Sequence, residues 1–236
     1  MPLLVTIRVL DFFQKGKQMK GTVFQGNLQF HVDIEGESWT PGQTLRGKLN
    51  VNNQGPSSVN LAQVGITLAH GTYKKVKASD PKAFTAFTTQ TFEANTELAA
   101  GKISELAWSI PLVETAPITD KSGSLFLVFG NLGDKTKGGH LLITVGPGFI
   151  IQEYLKIFEN FFRFKAKELR QSKDMIQIKM TPPASKEFSS TEGLLLFIKN
   201  QAGKLELKYE FTIKKLGYTK GSVALEKNEL VFPYSL

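Results

Sequence analysis

The chain has 236 residues, with 29 basic against 21 acidic side chains, a net charge of +8, 41% hydrophobic residues and no cysteine. That much apolar material excludes wholesale disorder, and the length allows one or two domains. The missing cysteines exclude disulfides, thiol nucleophiles and thiolate metal sites together.

The opening apolar run, Met1 to Phe13, is broken by Arg8 and Asp11 and followed by Gln14-Lys15-Gly16-Lys17. A secretory signal needs an unbroken apolar stretch and a small-residue cleavage site, so none is expected. Residues 1–20 read as a short strand or as an extension ahead of a second start at Met19. No stretch approaches the apolar length of a membrane span, and a cytoplasmic protein is expected.

Period-two alternation then dominates, the mark of half-buried strands. In 28–35, Leu28, Phe30, Val32 and Ile34 share one face, and Gln29, His31, Asp33 and Glu35 share the other. In 44–51, Leu45, Gly47, Leu49 and Val51 alternate with polar residues, and Leu106, Trp108 and Ile110 do the same further on. Further strands are expected at 61–69, 84–93, 124–129 and 140–145. Turn signals stand between them: Trp39-Thr40-Pro41-Gly42, Asn53-Gln54-Gly55-Pro56 and Gly130-Asn131-Leu132-Gly133. Proline presets φ and glycine accepts positive φ, which suits tight turns. This spacing of strands is that of a sandwich.

Pro147-Gly148 marks a boundary. From Phe149 to about Phe161 the apolar positions (Ile150, Ile151, Tyr154, Leu155, Ile157, Phe158, Phe161) follow a near-3.6 period, predicting a helix. Alternation returns with Phe162, Phe164 and Ala166 opposing Arg163, Lys165 and Lys167, then Ile176, Ile178 and Met180. Leu194 to Ile198 is apolar throughout and reads as a strand buried on both faces. Gln201-Ala202-Gly203 is a hairpin-turn candidate. After it Leu205, Leu207, Tyr209, Phe211 and Ile213 oppose Lys204, Glu206, Lys208, Glu210, Thr212 and Lys214. Two β-rich halves follow, 1–148 at +3 and 149–236 at +5.

Chemistry-bearing patterns are sparse. His31, His70 and His140 lie far apart, none with a ligand-spaced partner, and His31 falls on a polar strand face. There is no Gly-x-Ser-x-Gly nucleophile elbow and no phosphate loop. Asp33, Glu35 and Glu37 alternate along an extended run and read as a solvated face, not as a calcium loop. No metal or cofactor is expected. The basic excess gathers in two sets: Arg163, Lys165 and Lys167, and Lys204, Lys208 and Lys214 with Lys215 adjacent. Nucleic-acid binding would favour arginine stripes with exposed aromatics, whereas the aromatics here mostly take the inward phase. An acidic protein partner or a membrane surface suits these sets better.

Leu28-x-Phe30-x-Val32, then Trp39-Thr40-Pro41-Gly42-Gln43-Thr44-Leu45-Arg46-Gly47-Lys48-Leu49-Asn50-Val51, resembles the opening of arrestin-like N-domains. Val64-Gly65-Ile66-Thr67-Leu68 is similar to the next family strand. Trp108-Ser109-Ile110-Pro111-Leu112 and Thr115-Ala116-Pro117-Ile118-Thr119 are similar to its "I-P-L … T-P-I" passage. Residues 162–169, 176–182 and 188–216 resemble the C-domain of bacterial sporulation-control-type arrestin-like proteins. The likeness spans about residues 25–215. The family's acidic segment is replaced here by Gly133-Asp134-Lys135-Thr136-Lys137-Gly138-Gly139, and no C-terminal latch is recognisable.

The resemblance implies an all-β protein of two immunoglobulin-like (arrestin-like) sandwiches with one short helix near their junction, the first in 1–148 and the second in 149–236. It implies a non-catalytic adaptor or scaffold that binds protein partners through sheet edges and loops. A module binding lipid head groups or carbohydrate is the alternative, with Trp39 and Tyr73 the only candidate sugar platforms. The partner surfaces expected are the two basic sets, Lys204, Lys208, Lys214 and Lys215, and Arg163, Lys165 and Lys167.

Overall fold

A computed structural model of the chain describes residues 18–134, 138–201, 204–215 and 222–233, the side chains only as far as Ile213. Its strands in the first half are β1 (Gln18–Gln25), β2 (Leu28–Glu35), β3 (Ser38–Trp39), β4 (Thr44–Asn53), β5 (Val59–Asn60) and β6 (Val64–Thr72). A one-turn helix α1 (Tyr73–Lys77) precedes β7 (Phe84–Thr91), β8 (Glu97–Leu98), β9 (Ile103–Pro111), β10 (Gly123–Asn131) and β11 (Gly139–Val145). Helix α2 (Phe149–Asn160) then leads to β12 (Lys165–Ser172), β13 (Met175–Thr181), β14 (Thr191–Gln201), β15 (Lys204–Lys215) and β16 (Ser222–Pro233). The fold is all-β.

In the first half, a sheet ordered β1-β2-β4-β9 faces one ordered β3-β11-β10-β6-β7. Their inward side chains form one core that includes Phe30, Val32, Leu45, Leu49, Trp108, Leu125, Leu127 and Phe129. Alternation is what makes this possible, since every second side chain of each strand points to the same face. Trp39 is buried in the same core. The Pro41-Gly42 turn forms as expected, with Gly42 at φ 89° and the Gln43 N–H bonded to the Thr40 carbonyl at 3.1 Å. Gly47 pairs with Trp108, and a Cβ at Gly47 would overlap both the Asp33 carbonyl and the Trp108 indole. The glycine of the Arg46-Gly47-Lys48 run is therefore the floor on which the buried indole lies.

In the second half, the described strands make one antiparallel sheet, β12-β13-β14-β15-β16. Ile176, Ile178, Met180, Leu194, Leu196, Ile198, Leu205 and Leu207 line one face, and Ile151 and Leu155 of α2 pack on it. Ile118 from the first half completes this core. Ala116, two residues earlier, belongs to the other core. The Thr115–Thr119 segment thus threads from one core into the other.

Three sequence expectations change. Phe162 and Arg163 lie in the turn after α2, and β12 starts only at Lys165, because the helix end and an Arg163 at φ 58° redirect the chain. A bulge between Ala166 and Glu168 then breaks the assumed alternation at Lys167. In 194–198 only Leu194, Leu196 and Ile198 are buried, while Leu195 and Phe197 are half-buried on the opposite face. Helix α1 was not expected. It is too short for a 3.6 period to register. Ala202 and Gly203 of the expected hairpin turn lie outside the described residues.

Candidate partner-binding surfaces

The structure does not bring the two basic sets together. Lys165 and Lys167 are exposed on edge strand β12, and Arg163 is exposed in the turn before it. Lys204 and Lys208 stand on β15, three strand spacings away, or about 14 Å. Lys208 lies 3.6 Å from Glu206, so its charge is shared within its own strand. Across the open face of this sheet, register places Arg170, Gln177, Phe197 and Lys208 in one row, and Glu168, Lys179, Leu195 and Glu210 in the next. Interleaved signs of this kind favour cross-strand pairing over a unipolar field. The side chains of Lys214 and Lys215 lie outside the described residues.

Glu168 is held below the ordinary carboxylate range by hydrogen bonds from Lys121 and Arg170. Lys121 approaches it to 3.0 Å from the first half, so this pair spans the junction. Asp120 does more there. One oxygen accepts from the Ser122 hydroxyl and from the Ser122 and Gly123 N–H groups, and the other accepts from the Gln171 N–H at 2.8 Å. Burial alone would raise its pKa, but these hydrogen bonds outweigh burial and lower it. Gln171 returns the contact through its side-chain oxygen, which accepts from the Ile118 N–H at 3.1 Å.

The six edges of the three main sheets differ in how they are guarded. An exposed edge invites another strand unless charge, proline, a bulge or brevity blocks it. β1 carries Lys20, β9 carries Glu105 and ends in Pro111, and β3 has two residues. β12 is Lys-Ala-Lys-Glu-Leu-Arg-Gln-Ser with a bulge. β16 includes Glu226, Lys227 and Glu229 and ends at Pro233. β7 is Phe84-Thr-Ala-Phe-Thr-Thr-Gln-Thr91, with no charge and no proline. A bulge at Phe87 is its single guard, since Leu68 pairs with Thr88 and Ala69 with Ala86. Thr85 through Thr89 are all exposed, and among the described residues no strand pairs with the outer side of β7. Near its end, Gln90 clips the two sheets together. Its amide nitrogen donates to the Ala107 carbonyl and its oxygen accepts from the Ser109 N–H, both at 3.3 Å.

Beside this edge lies a groove of about 360 Å³ on the outward face of the second sheet. Residues 73–83 overhang it, with Val76, Pro81 and Ala83 as a wall and Thr67, Ala69, Ala86, Val128 and His140 lining the sheet side. Asp80 stabilises the overhang, its side chain accepting from the Lys82 N–H at 2.8 Å. The His140 ring centroid lies 5.6 Å from that of Phe84 and 5.9 Å from that of Phe126, and Tyr73 stands edge-on to Phe126 at 6.3 Å. The hydroxyls of Thr67 and Thr89 bond to each other at 2.9 Å. A half-apolar hollow next to an uncharged strand edge suits a side chain of an added strand.

Sequence reading missed this site. The absence of charge in 84–91 was visible, but which strand is an edge depends on pairing that alternation does not encode. His31 bonds the Thr22 hydroxyl through Nδ1 at 2.9 Å and lies 3.4 Å from Asp33, in keeping with its polar-face reading. Buried Trp39 offers no platform for a sugar. Among the described residues, no three His, Asp or Glu side chains gather as metal ligands, and no helix is long and apolar enough to cross a membrane.

Comparison with solved structures decides the fold. The crystal structure of Spo0M, a sporulation control protein from Bacillus subtilis, matches with a TM-score of 0.62 at 16% identity, covering 88% of this chain and 91% of that one. The chain has the Spo0M fold. The arrestin-like resemblance read from the sequence is thereby shown at the level of architecture. No protein-family model matches the chain. No curated protein sequence matches it either. At this identity the Spo0M match carries fold and no activity.

Proposed function

We propose that the chain is a non-catalytic, cytoplasmic adaptor that takes an extended segment of a protein partner as an added strand on β7. In this reading 1–148 supplies the strand-accepting edge and 149–236 supplies a second surface with separate charge. The observation that carries it is β7 itself, the one edge longer than two residues among the described strands without a charged residue or proline, lying beside a groove able to take side chains. Main-chain hydrogen bonds would supply affinity, and Val76, Ala86 and Val128 would select small or branched apolar side chains in the added strand.

Phe87→Lys with Thr89→Lys tests this. Both positions are exposed, so the fold should tolerate the change while the edge becomes charged. A protein partner recovered from the native cytoplasm with the intact chain should be lost with the variant, at an unchanged melting temperature. Equal recovery with both would reject strand addition at β7. Charge reversal at Lys204 and Lys208 is the control for the open face of the second sheet.

A further inference from the structure

We infer that the tip formed by the end of α2 and the turn into β12 docks on an anionic lipid bilayer. The inference is independent of strand addition on β7. Helix α2 spends Ile151 and Leu155 on its own core. It leaves Ile157 47% and, just beyond its end, Phe161 84% and Phe162 49% exposed. Phe161 is the most exposed large hydrophobic side chain among the described residues. Clustered exposure of this kind marks an interaction surface, whereas isolated apolar side chains do not.

The tip is built to stay in this shape. The Phe164 N–H bonds the Phe158 carbonyl at 3.0 Å and closes the turn. The Phe158 ring lies 5.6 Å from Phe162 and 6.2 Å from buried Phe164, which props Phe162 from below. Arg163 holds the left-handed conformation that glycine takes at little cost, so a charged side chain occupies a place where the backbone would prefer none.

Charge selects the occupant. Residues 156–167 contain Lys156, Arg163, Lys165 and Lys167 against Glu159; Lys156 is paired with Glu153 at 2.6 Å, which leaves Arg163, Lys165 and Lys167 as the basic foot of the tip. These three are exposed, as is Glu159. Lys186 and Glu187, on the 3₁₀ turn that meets Phe164 through Phe188, cancel each other. The five consecutive residues Glu159 to Arg163 are all exposed, so the feature projects instead of forming a hollow for a helix or a strand. Projecting aromatics with bases at their foot match the headgroup boundary of a bilayer. The rings enter the interface while the cations meet lipid phosphates.

Flotation of the full chain with phosphatidylcholine vesicles, with and without phosphatidylglycerol, tests the inference. The intact protein should bind only the anionic vesicles and should be released by added salt. Arg163→Glu with Lys165→Glu and Lys167→Glu should lower the partition coefficient about a hundredfold, from about fivefold per basic side chain. Phe161→Ser with Phe162→Ser should lower it at low salt as well, at an unchanged circular dichroism spectrum. Phe161→Trp offers a second readout, because Trp39 and Trp108 are both buried. Quenching of the introduced indole by brominated lipid places the tip in the interface. Equal binding to neutral vesicles, unchanged binding by the charge-reversed chain, or a salt-stable dimer that disappears with the Phe161 variant would overturn the inference.

Discussion

The two halves bury their sheets in different ways. In the first, two sheets close over each other, and each strand's inward phase finds a partner phase across the core. In the second, among the described residues, one sheet is covered by the twelve-residue helix α2, by Phe164 just beyond it with Phe188 against it, and by Ile118, lent by the first half. A sheet pair distributes its burial over many strands. A sheet under one helix concentrates it in a few side chains, here chiefly Ile151, Leu155, Phe164 and Ile118. The second half should therefore fail first when those side chains are cut back, and it is also the half whose helix keeps apolar residues outside.

The strongest way to break this contrast is Ile151→Ala with Leu155→Ala. Each buried truncation costs about 2–5 kcal/mol. The double variant should unfold the second half at a temperature where the first still melts normally, giving two calorimetric transitions. One unsplit transition at the original temperature would show that α2 is not what holds the second sheet. Next in size is Ile118→Ala, at about 2–4 kcal/mol, because a single methylene-rich side chain fills the end of the second core. It should destabilise the second half although residue 118 belongs to the first, as read by hydrogen exchange at Ile176, Ile178 and Leu196.

Asp120→Ala sharpens the contrast at the junction. It removes the acceptor of the Gln171 N–H and of the Ser122–Gly123 turn. The expected loss is about 1 kcal/mol, kept small by partial solvation of the carboxylate. The native carboxyl has a lowered pKa, so it binds fewer protons than the unfolded chain through the acid range. Its stabilisation is complete above the unfolded-state value near pH 4 and disappears as pH falls through the native value. The variant should accordingly match the intact chain at low pH, fall below it as pH rises through the native value, and show the full difference from about pH 4 upward. The smallest effect is Arg163→Gly, which relieves a left-handed backbone and should raise stability by about 0.5–1 kcal/mol. It should lower binding to anionic vesicles at the same time.

How far the sequence carried this picture depended on which property was local. Alternation in 28–35 gave β2 with its observed bounds, and the 3.6 period gave the start of α2 at Phe149. The arrestin-like order of motifs anticipated an architecture that residue periodicity alone could not assemble. What failed was decided by neighbours in space. Phe162, Phe164 and Ala166 alternate on paper, yet the closing turn of α2 uses up the first of them before a strand begins. Leu195 and Phe197 look buried from composition but sit on a face that no described element covers. The edge position of β7 is of the same kind, because it follows from pairing with β6 alone.

Amide hydrogen exchange of the full chain, free and bound to its captured protein partner, measures the central claim most directly. Strand addition requires new protection along Thr85–Gln90, together with the lining of the adjacent groove at Val76 and Val128, while β12 and β15 exchange as before. Protection confined to β15 or to the β12 edge, with β7 unchanged, would contradict the account.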